Sequence, residues 1–170
     1  MDPAVVILAL VTLQRLGELV LARANTRRLI AAGAVEAAPG HYPFMVALHA
    51  AWLAGLWWLA PGRPIAIAPL VAYGLLHVVR AWVIAALGRR WTTRIIRLAG
   101  APLVRSGPYR LMAHPNYAVV VGEIAVLPLV FGLTWYAAAF SILNAVVLAV
   151  RIRAESAALS ADAAAGDVGR

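Results

Sequence analysis

Long apolar runs separated by short arginine-bearing stretches dominate this chain. The first run extends from Pro3 to about Ala22 and is interrupted by Arg15 and Glu18. The second covers about Tyr42 to Ala60 and stops at Pro61-Gly62-Arg63-Pro64. The third covers about Ile65 to Leu87 and carries Pro69, His77 and Arg80. After a less apolar stretch from Gly88 to Ala113, the fourth begins at Pro115 and continues to about Phe131. Gly132 breaks it, and the fifth runs from Thr134 to Val150, ahead of Arg151, Arg153 and Glu155. A helix crosses about 30 Å of hydrocarbon with roughly 20 apolar residues. The pattern therefore predicts an all-α integral membrane protein with five transmembrane helices. The last two are short, about 17 residues or ~25 Å each by helical rise, and almost nothing joins them, so they read as a tight helical hairpin. The small, polar tail after Leu159 is expected to fray. Asp2 precedes the first run and arginines follow it, the reverse of a signal peptide.

Composition agrees with the pattern. Of 170 residues, 64 % are hydrophobic and 13 % charged, where soluble domains carry about a quarter charged. A disordered chain is excluded, and an ordinary soluble globule does not fit. With no cysteine, a disulfide scaffold, a thiol nucleophile, a zinc–cysteine site and an iron–sulfur cluster are excluded as well. The net charge of +8 comes entirely from arginine, since the chain has no lysine. Those arginines flank apolar runs instead of forming a basic soluble surface, so no nucleic-acid partner is expected. Twelve of the fifteen fall in 23–40, 88–114 and the tail, against Arg63 alone in the outer loops. That asymmetry predicts an N-out, C-in topology. Five helices leave no room for a separate soluble domain, so residues 1–170 read as one membrane domain. No dinucleotide-binding or P-loop glycine pattern is present.

Because polar residues are few, their grouping is informative. The densest group runs from Leu103 to Tyr117. Gly107-Pro108 marks a turn, and Pro115 suits the first turn of the fourth helix, where its missing N–H has no partner to lose. Arg110, His114, Asn116 and Tyr117 thus converge at a helix N-terminus, a place that favours a carboxylate or phosphate. An interfacial belt of anchoring tyrosines and snorkelling arginines is the plainer alternative. The second group is Arg151, Arg153 and Glu155. Arg151 and Glu155 share a helical face, as a surface ion pair would. The short hairpin, however, returns this helix end to the face where the fourth helix begins, so the two groups should meet. The third group lies within spans: Gln14, Arg15, Glu18, Glu123 and Asn144. Arg15 and Glu18, three residues apart, can neutralise one another. Glu123 lies two turns beyond Asn116 on a similar face, directed toward the same cavity. His41, His49 and His77 lack metal-ligand spacing, and no metal site is expected. An anion site at a helix start beside an apolar bundle suits a polar cofactor from the cytosol and a lipophilic acceptor from the bilayer.

The segments Gly107-Pro108-Tyr109-Arg110 and His114-Pro115-Asn116-Tyr117, followed by Arg151 and Glu155, resemble the isoprenylcysteine carboxyl methyltransferase family. Gln14-Arg15-Leu16-x-Glu18, Ala22-Arg23-x-Asn25, His41-Tyr42-Pro43 and Trp91-Thr92-x-Arg94-Ile95 resemble its small bacterial branch. The resemblance implies an S-adenosylmethionine-dependent membrane methyltransferase with a cofactor-binding core over about 88–160 and no metal. It implies cofactor contacts from Ala101, Pro102, Leu103 and Val104, largely through backbone atoms, and from Tyr109, His114, Pro115, Asn116, Tyr117 and Glu155. Arg151 would position the acceptor, with Arg94, Arg110, Glu123 and Asn144 as further candidates. Two departures are that Ala113 stands where the family often has arginine, and that Glu155 stands alone where eukaryotic members often have a run of acids.

Bacteria need not prenylate proteins, so the preferred acceptor is the acidic hydroxyl of a long-chain polyketide pyrone or resorcinol, followed by an isoprenoid or other lipid carboxylate. The expected location is a bacterial inner membrane, with the active site facing the cytoplasm. Two other classes stay open. One is a phospholipid N-methyltransferase or related membrane reductase; the other is a non-catalytic transporter or assembly protein. An amine acceptor would favour acidic or aromatic groups over Arg151, and a transport path would spread polar residues across the membrane.

Overall fold

The structure, a computed structural model, describes residues 1–98, 100–102 and 104–167, except for the side chains of His41 and of 154–167. Five α-helices carry the chain: α1 (Pro3–Ala31), α2 (Tyr42–Leu59), α3 (Ile67–Leu87), α4 (Pro115–Val130) and α5 (Thr134–Asp167). Asp2 caps α1, its Oδ1 accepting from the Ala4 amide at 2.9 Å. Its Oδ2 accepts from the Gly62 amide at 2.7 Å, which ties the start of α1 to the turn between α2 and α3. Gly88 closes α3 at φ 51°, a left-handed conformation that glycine adopts without strain.

Among the described residues, four helical stretches are long and apolar enough to cross a membrane: Pro3–Ala31, Tyr42–Leu59, Ile67–Arg90 and Thr134–Arg153. The fourth sequence run, α4, has 16 residues, about 24 Å by helical rise. That falls short of the roughly 30 Å a full crossing needs. Pro128 lies in its last turn, and the amides of Phe131 and Leu133 both bond the Pro128 carbonyl, turning the chain straight into α5. The hairpin is thus as tight as the sequence implies. The tail differs from expectation, because α5 continues to Asp167. Alanine is the strongest helix former, and the Ala-rich stretch after Arg153 offers little to stop propagation.

A two-stranded antiparallel ladder is the other element that the hydrophobic pattern does not reveal. In it β1 (Val35–Glu36) pairs with β2 (Ile96–Arg97), Val35 opposite Arg97 and Glu36 opposite Ile96. It joins the α1–α2 connection to the α3–α4 connection. Arg94 reinforces it with an ion pair to Glu36 at 2.7 Å and by lying over the Tyr42 ring. The Glu36 hydrogen bond raises the Arg94 guanidinium above its ordinary pKa.

The apolar core lies at one end of the bundle, where α1 begins, α2 ends, α3 begins and the α4–α5 turn sits. Leu8, Leu56, Leu127 and Phe131 are fully buried there. Leu10, Trp58, Trp82 and Trp135 face outward, an arrangement suited to lipid. The other half of the bundle is not filled by apolar side chains, and the site is found there.

Candidate active site

A cavity of about 180 Å³ opens between α1, α2, α4 and α5, with Arg80 of α3 and the segment 91–93 completing its wall. Its polar groups form two tiers. Asn116 and Glu123 lie seven residues apart on α4, and Asn144 and Arg151 lie seven apart on α5. Seven residues are two turns, about 10.5 Å of rise, so each pair shares a face. The hairpin is antiparallel, which levels Asn116 with Arg151 in one tier and Glu123 with Asn144 in the other.

The outer tier is built around Arg151, which is buried at 7 % exposure. Its Nε donates to the Tyr117 hydroxyl at 3.0 Å, and its Nη1 donates to the Thr93 carbonyl at 2.9 Å and the Met45 sulfur at 3.0 Å. Among the described residues these three acceptors are neutral. The Thr93 carbonyl is held in place indirectly. Asn25, buried on α1, donates to the carbonyls of Gly88 and Trp91 and pins the start of that segment. At the first turn of α4, Asn116 Oδ1 is buried with no hydrogen-bond partner among the described residues. His114 stacks on Tyr117 with ring centroids 5.1 Å apart.

The deeper tier is a four-charge network. Arg80 grips Glu18 with Nε and Nη2 and donates to Glu123 Oε2 from Nη1 at 2.9 Å. Arg15 bridges the same acids, with Nη2 2.9 Å from Glu123 Oε2 and Nη1 3.2 Å from Glu18 Oε2. Gln14 donates to Glu18 at 3.0 Å and contacts His77. Two guanidinium and two carboxylate groups sum to zero, which makes their burial within apolar helices tolerable. The expected local Arg15–Glu18 pair is thus part of a larger set in which Arg80 is the main partner of Glu18.

Among the residues singled out from sequence, Arg151, Asn116, Tyr117, Glu123 and Asn144 line the cavity together. His114 stands behind Tyr117, and buried Pro115 starts α4. Ala101, Pro102, Val104, Tyr109 and Arg110 lie on the connection between β2 and α4 and do not line it. There the Pro102 carbonyl accepts from Arg90 at 2.7 Å. Arg94 belongs to the β1–β2 ladder. Leu103 and the Glu155 side chain lie outside the described residues. Sequence reasoning missed Arg80 as a wall residue, along with Tyr42, Met45, His49, Trp91 and the Thr93 carbonyl. Arg80 had a signal: the spans hold two arginines and two glutamates, and buried charges seek partners. Among the described residues, no group of three or more His, Asp or Glu is placed to hold a metal ion.

Apolar helices around a buried polar cavity define a polytopic membrane protein with an internal site. A sequence model of the isoprenylcysteine carboxyl methyltransferase (ICMT) family matches residues 68–161, which span α3 to α5 and include both tiers on α4 and α5. Over 166 residues the chain is 37 % identical to the uncharacterized protein YpbQ of Bacillus subtilis (strain 168), a match covering 90 % of this chain and 94 % of that protein. No solved structure matches the chain significantly. The chain belongs to the isoprenylcysteine carboxyl methyltransferase family, in its small bacterial branch, and is an integral membrane methyltransferase.

Proposed function

We propose that this protein transfers a methyl group from S-adenosylmethionine to an oxygen of a lipophilic acceptor taken from the bilayer. The observation that carries this reading is the meeting of Arg151 and Asn116 at the start of α4, in one cavity walled mostly by apolar helices. The outer tier has the chemistry the cofactor requires. Asn116 Oδ1 is a buried acceptor without a donor among the described residues, suited to an amino group. Pro115 has no N–H and the Tyr117 and Ala118 amides bond the His114 carbonyl, so among the described residues the Asn116 amide is the first-turn donor left for a carboxylate. The Tyr42 ring, which lines the cavity, suits a flat base. In this reading Ala101, Pro102, Leu103, Val104, Tyr109, His114, Pro115, Asn116, Tyr117 and Glu155 form the cofactor side.

When bound, S-adenosylmethionine supplies a methyl group that its sulfonium already makes electrophilic. What remains for the chain is alignment and exclusion of water. Arg151, held at three points by neutral acceptors among the described residues, attracts and orients an acceptor oxygen that is anionic near neutral pH. Such an oxygen needs little help from a base. An amine acceptor would be repelled by Arg151, which favours O-methylation over N-methylation. The preferred acceptor is the acidic hydroxyl of a long-chain polyketide pyrone or resorcinol. The five-span, N-out topology follows from the arginine asymmetry if short α4 completes the fifth crossing. The site then faces the cytoplasm of a bacterial inner membrane, within a single domain over residues 1–170.

The test is transfer of labelled methyl from S-adenosylmethionine into a lipid extract of the source cells by purified protein. A labelled lipophilic product is expected, and mass spectrometry of the methylated group identifies the acceptor. Absence of both label and cofactor binding overturns the reading.

A further inference from the structure

The outer tier accounts for a cofactor and for Arg151, but it makes no use of the deeper one. An ion network serving only to hold helices together has no need to face a cavity, yet Arg15, Glu18, Arg80 and Glu123 all line this one. Their charges cancel, so the tier attracts neither an anion nor a cation by net charge. Its open hydrogen-bonding capacity lies elsewhere. Both arginines that reach Glu123 contact Oε2, and Glu123 Oε1 is buried with no hydrogen-bond partner among the described residues. His77 Nδ1 lies 3.9 Å from it and bonds the Tyr73 carbonyl. Level with Glu123 on α5, Asn144 is buried at 4 % exposure and lines the same cavity, with no hydrogen bond among the described residues.

A carboxylate oxygen buried without a partner carries a desolvation penalty that an incoming ligand can relieve, and the unbonded Asn144 carboxamide offers that ligand a second polar contact. Glu123 Oε1 can only accept. Asn144 can donate or accept. The group complementary to both is a neutral hydroxyl, donating its proton to Glu123 and receiving a hydrogen bond from the Asn144 amide. We propose that the deeper tier is an anchoring subsite for a second, unmethylated hydroxyl of the acceptor. The substrate class is therefore a lipophile whose head carries at least two hydroxyl groups, one oriented toward Arg151 and one held by Glu123 and Asn144. This rests on the methyltransferase reading for the identity of the ligand as acceptor, but the subsite itself is read from this chain's own residues.

Binding distinguishes the two claims. Trp52 and Trp91 line the cavity, so quenching of their fluorescence reports occupancy in the full chain in detergent, without cofactor. The probes are 5-pentadecylresorcinol, with two ring hydroxyls, and 3-pentadecylphenol, with one. The wild-type protein should bind the resorcinol three- to tenfold more tightly, the range for about one net hydrogen bond. Asn144→Leu removes no hydrogen bond of the fold. It should abolish that preference while leaving phenol binding and S-adenosylhomocysteine affinity, measured by calorimetry, unchanged. No preference in the wild-type protein overturns the subsite, and that comparison needs no variant to fold. An equal loss for both probes in Asn144→Leu reduces Asn144 to a packing residue and also overturns it. A loss of S-adenosylhomocysteine affinity assigns the tier to the cofactor instead. Failure of S-adenosylhomocysteine to bind the wild-type protein strikes the methyltransferase reading alone, because the probe preference is measured without it.

Discussion

Arg80 touches both buried carboxylates of the cavity floor from the middle of α3, and its removal leaves Arg15 as the single guanidinium facing two acids. Breaking one partner out of a buried ion network typically costs about 3–5 kcal/mol. Arg80→Leu is therefore expected to lower thermal stability in detergent sharply, and Arg80→Lys to recover only part, because an ammonium cannot grip Glu18 with two parallel bonds. Arg151 makes a contrasting case. If it orients the acceptor, Arg151→Ala should reduce turnover about a hundredfold, the scale of a lost charge-stabilising donor, while S-adenosylhomocysteine affinity measured by calorimetry stays within a few fold. Asn116→Ala should do the reverse and weaken that affinity with less effect on turnover. Equal losses in both variants would dissolve this division of roles. At this scale the sequence shows what one helix can show: the seven-residue spacings of Asn116 to Glu123 and of Asn144 to Arg151 are visible in it. The partners of Arg80 are not, since they depend on how α1, α3 and α4 cross. Nor is the Thr93 carbonyl, because every residue carries such a group and only the fold selects one.

Between elements, the seam of α2 and α5 is set by one glycine. A β-carbon at Gly55 would collide with the Tyr136 hydroxyl, whose oxygen donates to the Trp52 carbonyl at 2.9 Å. Gly55→Ala must push Tyr136 away and break that bond, an overpacking cost of about 1–3 kcal/mol. Tyr136→Phe in the same chain removes the worst of the collision and leaves the ring carbon Cζ, 2.9 Å from the added β-carbon, to give way, so the double variant is expected to unfold at a higher temperature than Gly55→Ala alone. A double variant no more stable than the single one would locate the strain elsewhere. The helices themselves were legible because each apolar run ends at Pro, Gly or clustered arginine, although α1 continues past Arg23, Arg27 and Arg28 to Ala31. Two-residue strands were not, because no period can be read from Val35–Glu36 and Ile96–Arg97. The length of α5 was underestimated for a related reason: loss of hydropathy after Arg153 marks the end of a membrane segment, not of a helix.

For the molecule as a whole, the absence of native cysteine makes topology directly measurable. With the N-out arrangement, Arg63→Cys should react with a membrane-impermeant maleimide in intact cells, and Ser106→Cys only after permeabilisation. The opposite pattern would invert the topology and move the outer tier to the other side of the membrane. The buried quartet also constrains how the chain is made. Taken singly, α3 presents Arg80 to lipid and α4 presents Glu123, each a charge that opposes insertion by about 2.5–3.5 kcal/mol at mid-bilayer. Alpha-helix α1 carries Arg15 and Glu18 together and can cancel its own charge, so it can leave the translocon by itself. For α3 and α4 the natural unit of insertion is the pair, with Arg80 already on Glu123 before either meets lipid. The 16-residue α4 is too short to hold a transmembrane position alone, and its biogenesis thus waits on the helix before it.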